Sequence, residues 1–263
     1  MPRIALGLAY DGSAFEGWQT QPHGHTVQDV LEKALSEIAC CPVKTVCAGR
    51  TDAGVHATGQ VAHFDVLADR PLQAWVRGCN TLLPSACAVQ WAKPVSEDFN
   101  ARFSATHRQY QYWVYCAPNR HPLVRTAAWV FQPLNLEKMR AAMPAMLGQH
   151  DFSAFRAAQC QANTPIRTLQ AFDLQAHGPY LKITLQANAF LHHMARNLMG
   201  SLLEIGLGNQ PPEWLYEILQ GKDRRKAAKT APACGLTLRQ VGYDNAFGLP
   251  LADNSAFSPM PVL

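Results

Sequence analysis

Apolar and polar positions alternate in several short stretches, and two longer stretches repeat at helical spacing. From Arg3 to Tyr10 the larger residues Ile4, Leu6 and Leu8 fall on one side, which predicts a strand with one packed face. Asp11-Gly12-Ser13 turns the chain. Thr26, with Asp29 three residues on, forms a capping-box pattern ahead of Val30, Leu31, Ala34, Leu35 and Ile38. Those five make one stripe and predict a helix to about Ala39. Val43 to Ala48 and Gln60 to Val66 read as strands on either side of a loop punctuated by Gly49, Gly54 and Gly59. A short helix opened near Pro71 is expected over Leu72 to Asn80, and a strand over Val89 to Val95.

The order up to Ser104 is strand, helix, strand, strand, helix, strand, the pattern of a ferredoxin-like unit. Arg108 to Cys116 begins again as a strand. Asn135 caps a helix carrying Leu136, Met139, Met143 and Met146, which Pro144 should kink or end. Ile166 to Ala176 and Tyr180 to Ala187 alternate around His177-Gly178-Pro179, a hairpin signal. Phe190 to Gly206 reads as a longer helix, Pro212 to Gln220 as another, and Leu236 to Tyr243 as a last strand. The second half repeats the first in element order, with no repeat of sequence. The expected class is α+β, with residues 1–104 and 105–247 as two halves. Residues 248–263, rich in Pro, Ala and Ser, read as a loose tail.

The chain has 263 residues, 48% hydrophobic and 16% charged, as expected of a globular protein with a sizeable core. No apolar run reaches membrane-spanning length, and Gly7, Tyr10 and Asp11 interrupt the N-terminal apolar run, so a cytoplasmic protein is expected. The eight cysteines include no Cys-x-x-Cys pair; reduced, structural thiols are expected. A net charge of +4 does not by itself imply nucleic acid. Arg outnumbers Lys, however, and many of the arginines fall in or near loops, where a guanidinium is a good fork for phosphate oxygens.

The stretch with candidate chemistry is Gly49-Arg50-Thr51-Asp52-Ala53-Gly54-Val55-His56. Arg50 and Asp52 two residues apart fit a surface ion pair or an Asx turn as well as a reactive site. No Lys-Ser/Thr follows the glycines, so the stretch is not a nucleotide-binding loop. Together with Ala57 this stretch resembles the signature of the tRNA pseudouridine synthases that modify the anticodon stem-loop. Further stretches match that family in order: Tyr10-Asp11-Gly12, Gly17-Trp18-Gln19, Ala101-Arg102-Phe103-Ser104-Ala105-Thr106, Tyr110-Gln111-Tyr112, His150 to Arg156, Phe190 to Asn197, and Pro232 to Leu236. The likeness runs from about Ile4 to about Tyr243.

The resemblance implies two ferredoxin-like, RRM-like halves sharing a continuous antiparallel sheet with a central active-site cleft, a homodimer, and tRNA as partner. It implies uridine isomerisation at positions thirty-eight to forty of tRNA. The catalytic residues would be Asp52 as nucleophile, Arg196 as its guanidinium partner and Tyr110 as the active-site tyrosine. The family usually has a basic residue where this chain has Gln111. Arg50 would contact the target phosphate or occupy the space vacated by the flipped base, Arg70, Arg102 and Arg156 would hold the RNA backbone around it, and Leu236 would pack against the uracil. From the residues alone, Arg196 reads equally as a charge snorkelling beside the stripe Leu191, Met194, Leu198 and Leu202. Tyr110 reads equally as an ordinary strand aromatic, Leu236 as core, and Lys222 to Lys226 as a solvated charge run. His192 and His193, adjacent on a predicted helix, would point apart, so no metal is expected, and an isomerisation needs no cofactor.

Two other readings compete. Ferredoxin-like units with aromatic strands also suit a non-catalytic RNA-binding protein, but pure binding has no use for the Arg50–Asp52 loop together with Arg196. A nucleoside hydrolase would need a second essential acid, and Asp65, Asp98 and Asp151 give no convincing partner for Asp52.

Overall fold

The computed structural model describes residues 1–68 and 70–250, so the expected tail lies almost wholly outside the described residues. In chain order the elements are β1 (Arg3–Tyr10), α1 (Val27–Ala39), β2 (Val46–Cys47), β3 (His56–Asp65), α2 (Cys79–Leu82), β4 (Cys87–Val95), β5 (His107–Cys116), β6 (Ala128–Val130), α3 (Leu136–Ala142), β7 (Gly148–Asp151), β8 (Ile166–His177), β9 (Tyr180–Ala187), α4 (Met194–Gly206), α5 (Trp214–Gly221) and β10 (Leu236–Gly242). They fall into two compact units. One comprises Met1–Arg108 with the chain from Thr237; the other is Gln109–Leu236.

In the first unit, β1 lies between β4 and β3, antiparallel to both. β2 adds to β3 antiparallel at Val46–His63, and β10 adds to β3 parallel at Thr237–His56. The sheet is therefore mixed where an antiparallel one was expected. β10 reaches β3 after a long excursion of the chain, and only such crossovers, not hairpins, permit parallel pairing. Thr26 caps α1 as its sequence predicts, its side chain accepting from the Asp29 N–H. Leu31 and Leu35 are fully buried, as are Trp75 and Phe64, whose rings meet edge to face. Each such side chain contributes about 1.5–3 kcal/mol on burial.

The predicted strand Val43 to Ala48 shrinks to two residues, and α1 is the cause. The Val43 N–H donates to Ser36 Oγ (2.9 Å) and the Thr45 N–H to the buried Glu32 carboxylate (2.9 Å), so neither joins a ladder. The expected helix after Pro71 forms as a π-helical turn, Ala74–Gly78, that runs into α2.

In the second unit the sheet order is β5-β9-β8-β7, with β6 parallel to β5. β8 and β9 form the expected hairpin, turning at Gly178 with φ +56°. Pro144 ends α3 and opens a single 3₁₀ turn. α3 packs on α4 and α5 over a core that includes Met139, Leu198, Leu202, Ile205 and Leu215. α4 starts four residues later than its sequence predicts. The Met194 N–H bonds back to the Leu191 carbonyl (3.0 Å), and His193 takes the left-handed conformation (φ +62°). Arg196 thus sits in the first turn. His192 and His193 precede the helix, with rings 4.1 Å apart rather than diverging.

All eight cysteines are free. Burial pushes the thiols of Cys47, Cys79 and Cys87 up to about 12, which leaves them inert. Among the described residues no helix is long and apolar enough to cross a membrane.

Candidate active site

The first unit holds Asp52 on a loop whose backbone is fastened from several sides. On the entering side, the Ala48 N–H donates to the Val61 carbonyl (2.8 Å), and Arg108 Nη2 donates to the Ala48 carbonyl (2.8 Å). Gln60, fully buried on β3, donates through Nε2 to the Gly49 carbonyl (2.6 Å) and accepts from the Gly49 N–H (3.4 Å). The same amide reaches the Tyr10 hydroxyl (3.3 Å), which shares a hydrogen bond with Thr51 Oγ1 (2.8 Å). The Thr51 carbonyl accepts from the Trp18 N–H (3.0 Å), and the Val55 N–H closes the turn onto the Asp52 carbonyl (3.1 Å).

This construction explains why Tyr10 and Gly17-Trp18 accompany the Asp52 stretch in the sequence. Gly17 has φ +87°, and a Cβ there would lie 2.8 Å from the Thr51 carbonyl oxygen and 3.1 Å from the Ala53 nitrogen. Only glycine permits both that conformation and that approach. Asp52 is left half-buried and Arg50 exposed at the turn. Burial raises the Cys47 thiol, and the nearby charges of Arg50 and Arg102 offset part of that rise.

The remaining first-unit candidates separate. Arg102 is exposed, its guanidinium 5.4 Å from the Phe103 ring centroid. Arg70 donates to the Ile38 carbonyl (3.2 Å) and lies 3.7 Å from Cys40 Sγ, so these bonds cap the C-terminal end of α1.

The second unit holds Tyr110, Arg196 and Leu236. Arg196 Nε donates to the Ala231 carbonyl (2.9 Å), and the Ala231 N–H returns to the Arg196 carbonyl (3.1 Å). Beside it Asn197 is fully buried. Its Nδ2 donates to the Phe155 carbonyl (2.7 Å), and its Oδ1 accepts from Thr230 Oγ1 (2.7 Å) and Arg224 Nη2 (3.0 Å). The first turn of α4 is thereby tied to three other segments. Arg224, read from sequence as part of a solvated run, turns inward, whereas Arg225 pairs with Asp223 at the surface. Tyr110 is nearly buried, edge to face with Phe190 at 5.0 Å, and Leu236 is buried. Arg156 donates to the carbonyls of Cys160 and Ala162 (2.5 and 3.1 Å). Burial would raise the Cys160 thiol, but the N–H groups of Ala162 and His192 and the Arg156 guanidinium carry it below its usual value.

Gln60 and Arg108 were given no role in the site from sequence, and Asn197 entered only as the last residue of the matched stretch Phe190 to Asn197. Their one signal is polarity inside otherwise apolar elements, where a buried amide or guanidinium must find partners.

The profile of a family described as tRNA pseudouridine synthase matches residues 8–104 and 142–244. A protein of Bordetella petrii named tRNA pseudouridine synthase A is 54% identical over 97% of this chain and 96% of its own length. Its namesake in Paraburkholderia phymatum is 53% identical over 95% of this chain and 94% of its own. That of Paraburkholderia phytofirmans is 54% identical over 95% and 93%.

Proposed function

The chain belongs to the tRNA pseudouridine synthase family and is a tRNA uridine isomerase, and from that premise we propose that it acts on the anticodon stem-loop with Asp52 as nucleophile. The reaction breaks the bond from uracil N1 to ribose C1′, turns the base and rejoins it through C5. The uridine first leaves its stack, since its reacting atoms are inaccessible within it. The ionised Asp52 carboxylate then attacks at C1′ or at C6 of the ring; both routes need the carboxylate charged and held in place.

What supports this reading is the build of the Asp52 loop. Its backbone is bound at Ala48, Gly49, Thr51 and Asp52, so the carboxylate is carried on a fixed support rather than a floppy tip. Preorganisation of that kind is what a nucleophile requires and what a mere surface ion pair does not. In the second unit, the Ala231 carbonyl fixes the plane of the Arg196 guanidinium. In this mechanism Arg196 orients the Asp52 carboxylate through charge-assisted hydrogen bonds. Tyr110 stacks on the everted uracil and takes the C5 proton at the end, as general base. Arg50, Arg70 and Arg102 hold phosphates, and Leu236 packs against the uracil, so recognition is mainly of RNA shape. The two units are proposed as ferredoxin-like halves of an enzyme that works as a cytoplasmic homodimer at positions thirty-eight to forty of tRNA.

The test is tritium release from tRNA labelled with [5-³H]uridine. The wild-type protein should release label, whereas Asp52→Asn should bind the same tRNA and release none. Equal release by both proteins would remove Asp52 as nucleophile.

A further inference from the structure

We propose that Phe103 is a stacking platform for an unpaired nucleobase of the RNA substrate, a role that rests on the tRNA reading above. Phe103 is the most exposed aromatic side chain among the described residues, 78% accessible. Isolated exposed apolar residues are common and mean little by themselves. What distinguishes this one is that the chain around it is held still while the ring is kept out.

The Arg102 and Phe103 N–H groups both donate to Asn100 Oδ1 (3.0 and 3.1 Å). The Ser104 N–H donates to the Asn100 carbonyl (2.8 Å), and the Asn100 N–H to Ser104 Oγ (2.9 Å). Ala101 is buried, its N–H donating to His63 Nδ1 (3.1 Å) and its carbonyl accepting from the Tyr243 hydroxyl (2.7 Å). The Arg102 carbonyl accepts from Arg108 Nη2 (2.6 Å). Every residue from Asn100 to Ser104 is therefore fixed through backbone bonds, and Phe103 is left projecting. A ring so placed has little conformational freedom to lose on meeting a ligand.

The setting favours RNA over a protein partner. The Arg102 guanidinium lies beside the ring, a cation next to a π face. The Arg108 guanidinium that holds Arg102 also holds Ala48, two residues before Arg50 and four before Asp52. An exposed aromatic ring beside the Arg102 guanidinium, on a segment tied through Arg108 to the Asp52 loop, is the combination that takes a base on the ring and its phosphate on the cation. Because every base has a π face, this contact would tolerate any base identity.

The experiment measures binding of a tRNA transcript by wild type, Phe103→Leu and Phe103→Trp. Phe103→Leu keeps the apolar bulk without the ring and should raise Kd by about 5- to 150-fold, the usual range for one lost base stack. The loss should appear in KM. Phe103→Trp should bind at least as well as wild type. Its extra fluorescence, taken as the difference from wild type, should be quenched by the transcript. Wild-type affinity in Phe103→Leu, or an unquenched signal from the introduced indole, would overturn the proposal. So would a change in sedimentation of Phe103→Leu without a change in RNA affinity, since the ring would then serve a protein contact. A wild-type protein that neither binds nor modifies tRNA would instead overturn the function on which the proposal rests.

Discussion

Gln60→Leu isolates the support of the reactive loop from its chemistry. The Gln60 amide is fully buried, and its 2.6 Å bond is the one the Gly49 carbonyl receives from a side chain. Leucine fills nearly the same volume, so no cavity forms, but the Gly49 carbonyl loses its donor and the Gly49 N–H its 3.4 Å acceptor. A buried polar group left unsatisfied costs about 1–3 kcal/mol. The carbonyl bears most of this, because the N–H bond is already long, and the added apolar burial offsets part. The expected loss is about 2 kcal/mol, read as a lower urea midpoint at unchanged slope. The catalytic effect should be larger than that suggests. Gly49 is three residues from Asp52, and a misplacement of about 1 Å costs on the order of 100-fold in rate. Single-turnover tritium release at saturating tRNA measures it. Tyr10→Phe, which removes the 2.8 Å bond at Thr51 and the long 3.3 Å one from Gln60, should cost about 1 kcal/mol and slow the reaction less. If Gln60→Leu lost stability and kept the wild-type single-turnover rate, the clamp would hold the fold but not the nucleophile, and the reasoning would fail.

Two further outcomes follow from the first unit. Burial depresses the His63 pKa from 6.5 to about 4, so the folded state holds the ring neutral while the unfolded chain protonates it first as pH falls. The associated stability is present above about pH 6.5 and is lost progressively toward pH 4, by up to about 3 kcal/mol; urea unfolding should show His63→Asn losing less than wild type across that window. Gly17→Ala places a Cβ against the Thr51 carbonyl at a φ of +87°. It should cost about 1–3 kcal/mol of strain in thermal unfolding and should slow tritium release together with it.

Elements whose cause is local were legible in the sequence. The Thr26 cap, the Asn135 cap with its stop at Pro144, and the β8–β9 hairpin each depend on a few adjacent residues, and each forms as predicted. Failures came where a distant partner decides. Val43 and Thr45 look like strand residues, but α1 supplies the acceptors for their N–H groups. Phe190 to His193 carry a helical pattern, but the turn at Leu191 and the left-handed His193 displace the start of α4. The parallel pairing of β10 on β3 has no local signature either, since strand direction is set by the path between the strands. In the candidate site, the reactive stretch stood out through its motif. Its supports, Gln60 and Arg108, are single polar residues in strands, and their targets are backbone atoms, which leave no pattern in side-chain identity.

Arg108 shows what such supports are for. Its guanidinium is buried and donates to the carbonyls of Ala48, Arg102 and Ala105. Burying a cation carries a desolvation penalty that carbonyl dipoles offset only in part, and an apolar residue of the same volume would often stabilise a fold as well or better. A charge at this position is therefore poorly explained by stability. It is well explained by geometry, because a planar fork with several donors can bind two loops at once and fix their separation. One of those loops leads into Arg50 and Asp52, and the other carries Arg102 and Phe103. On the proposed mechanism, the Asp52 carboxylate and the arginines proposed to hold phosphates need a constant spacing before the substrate arrives. Arg108 meets that need within one unit of the chain, without using any group that the substrate itself would touch.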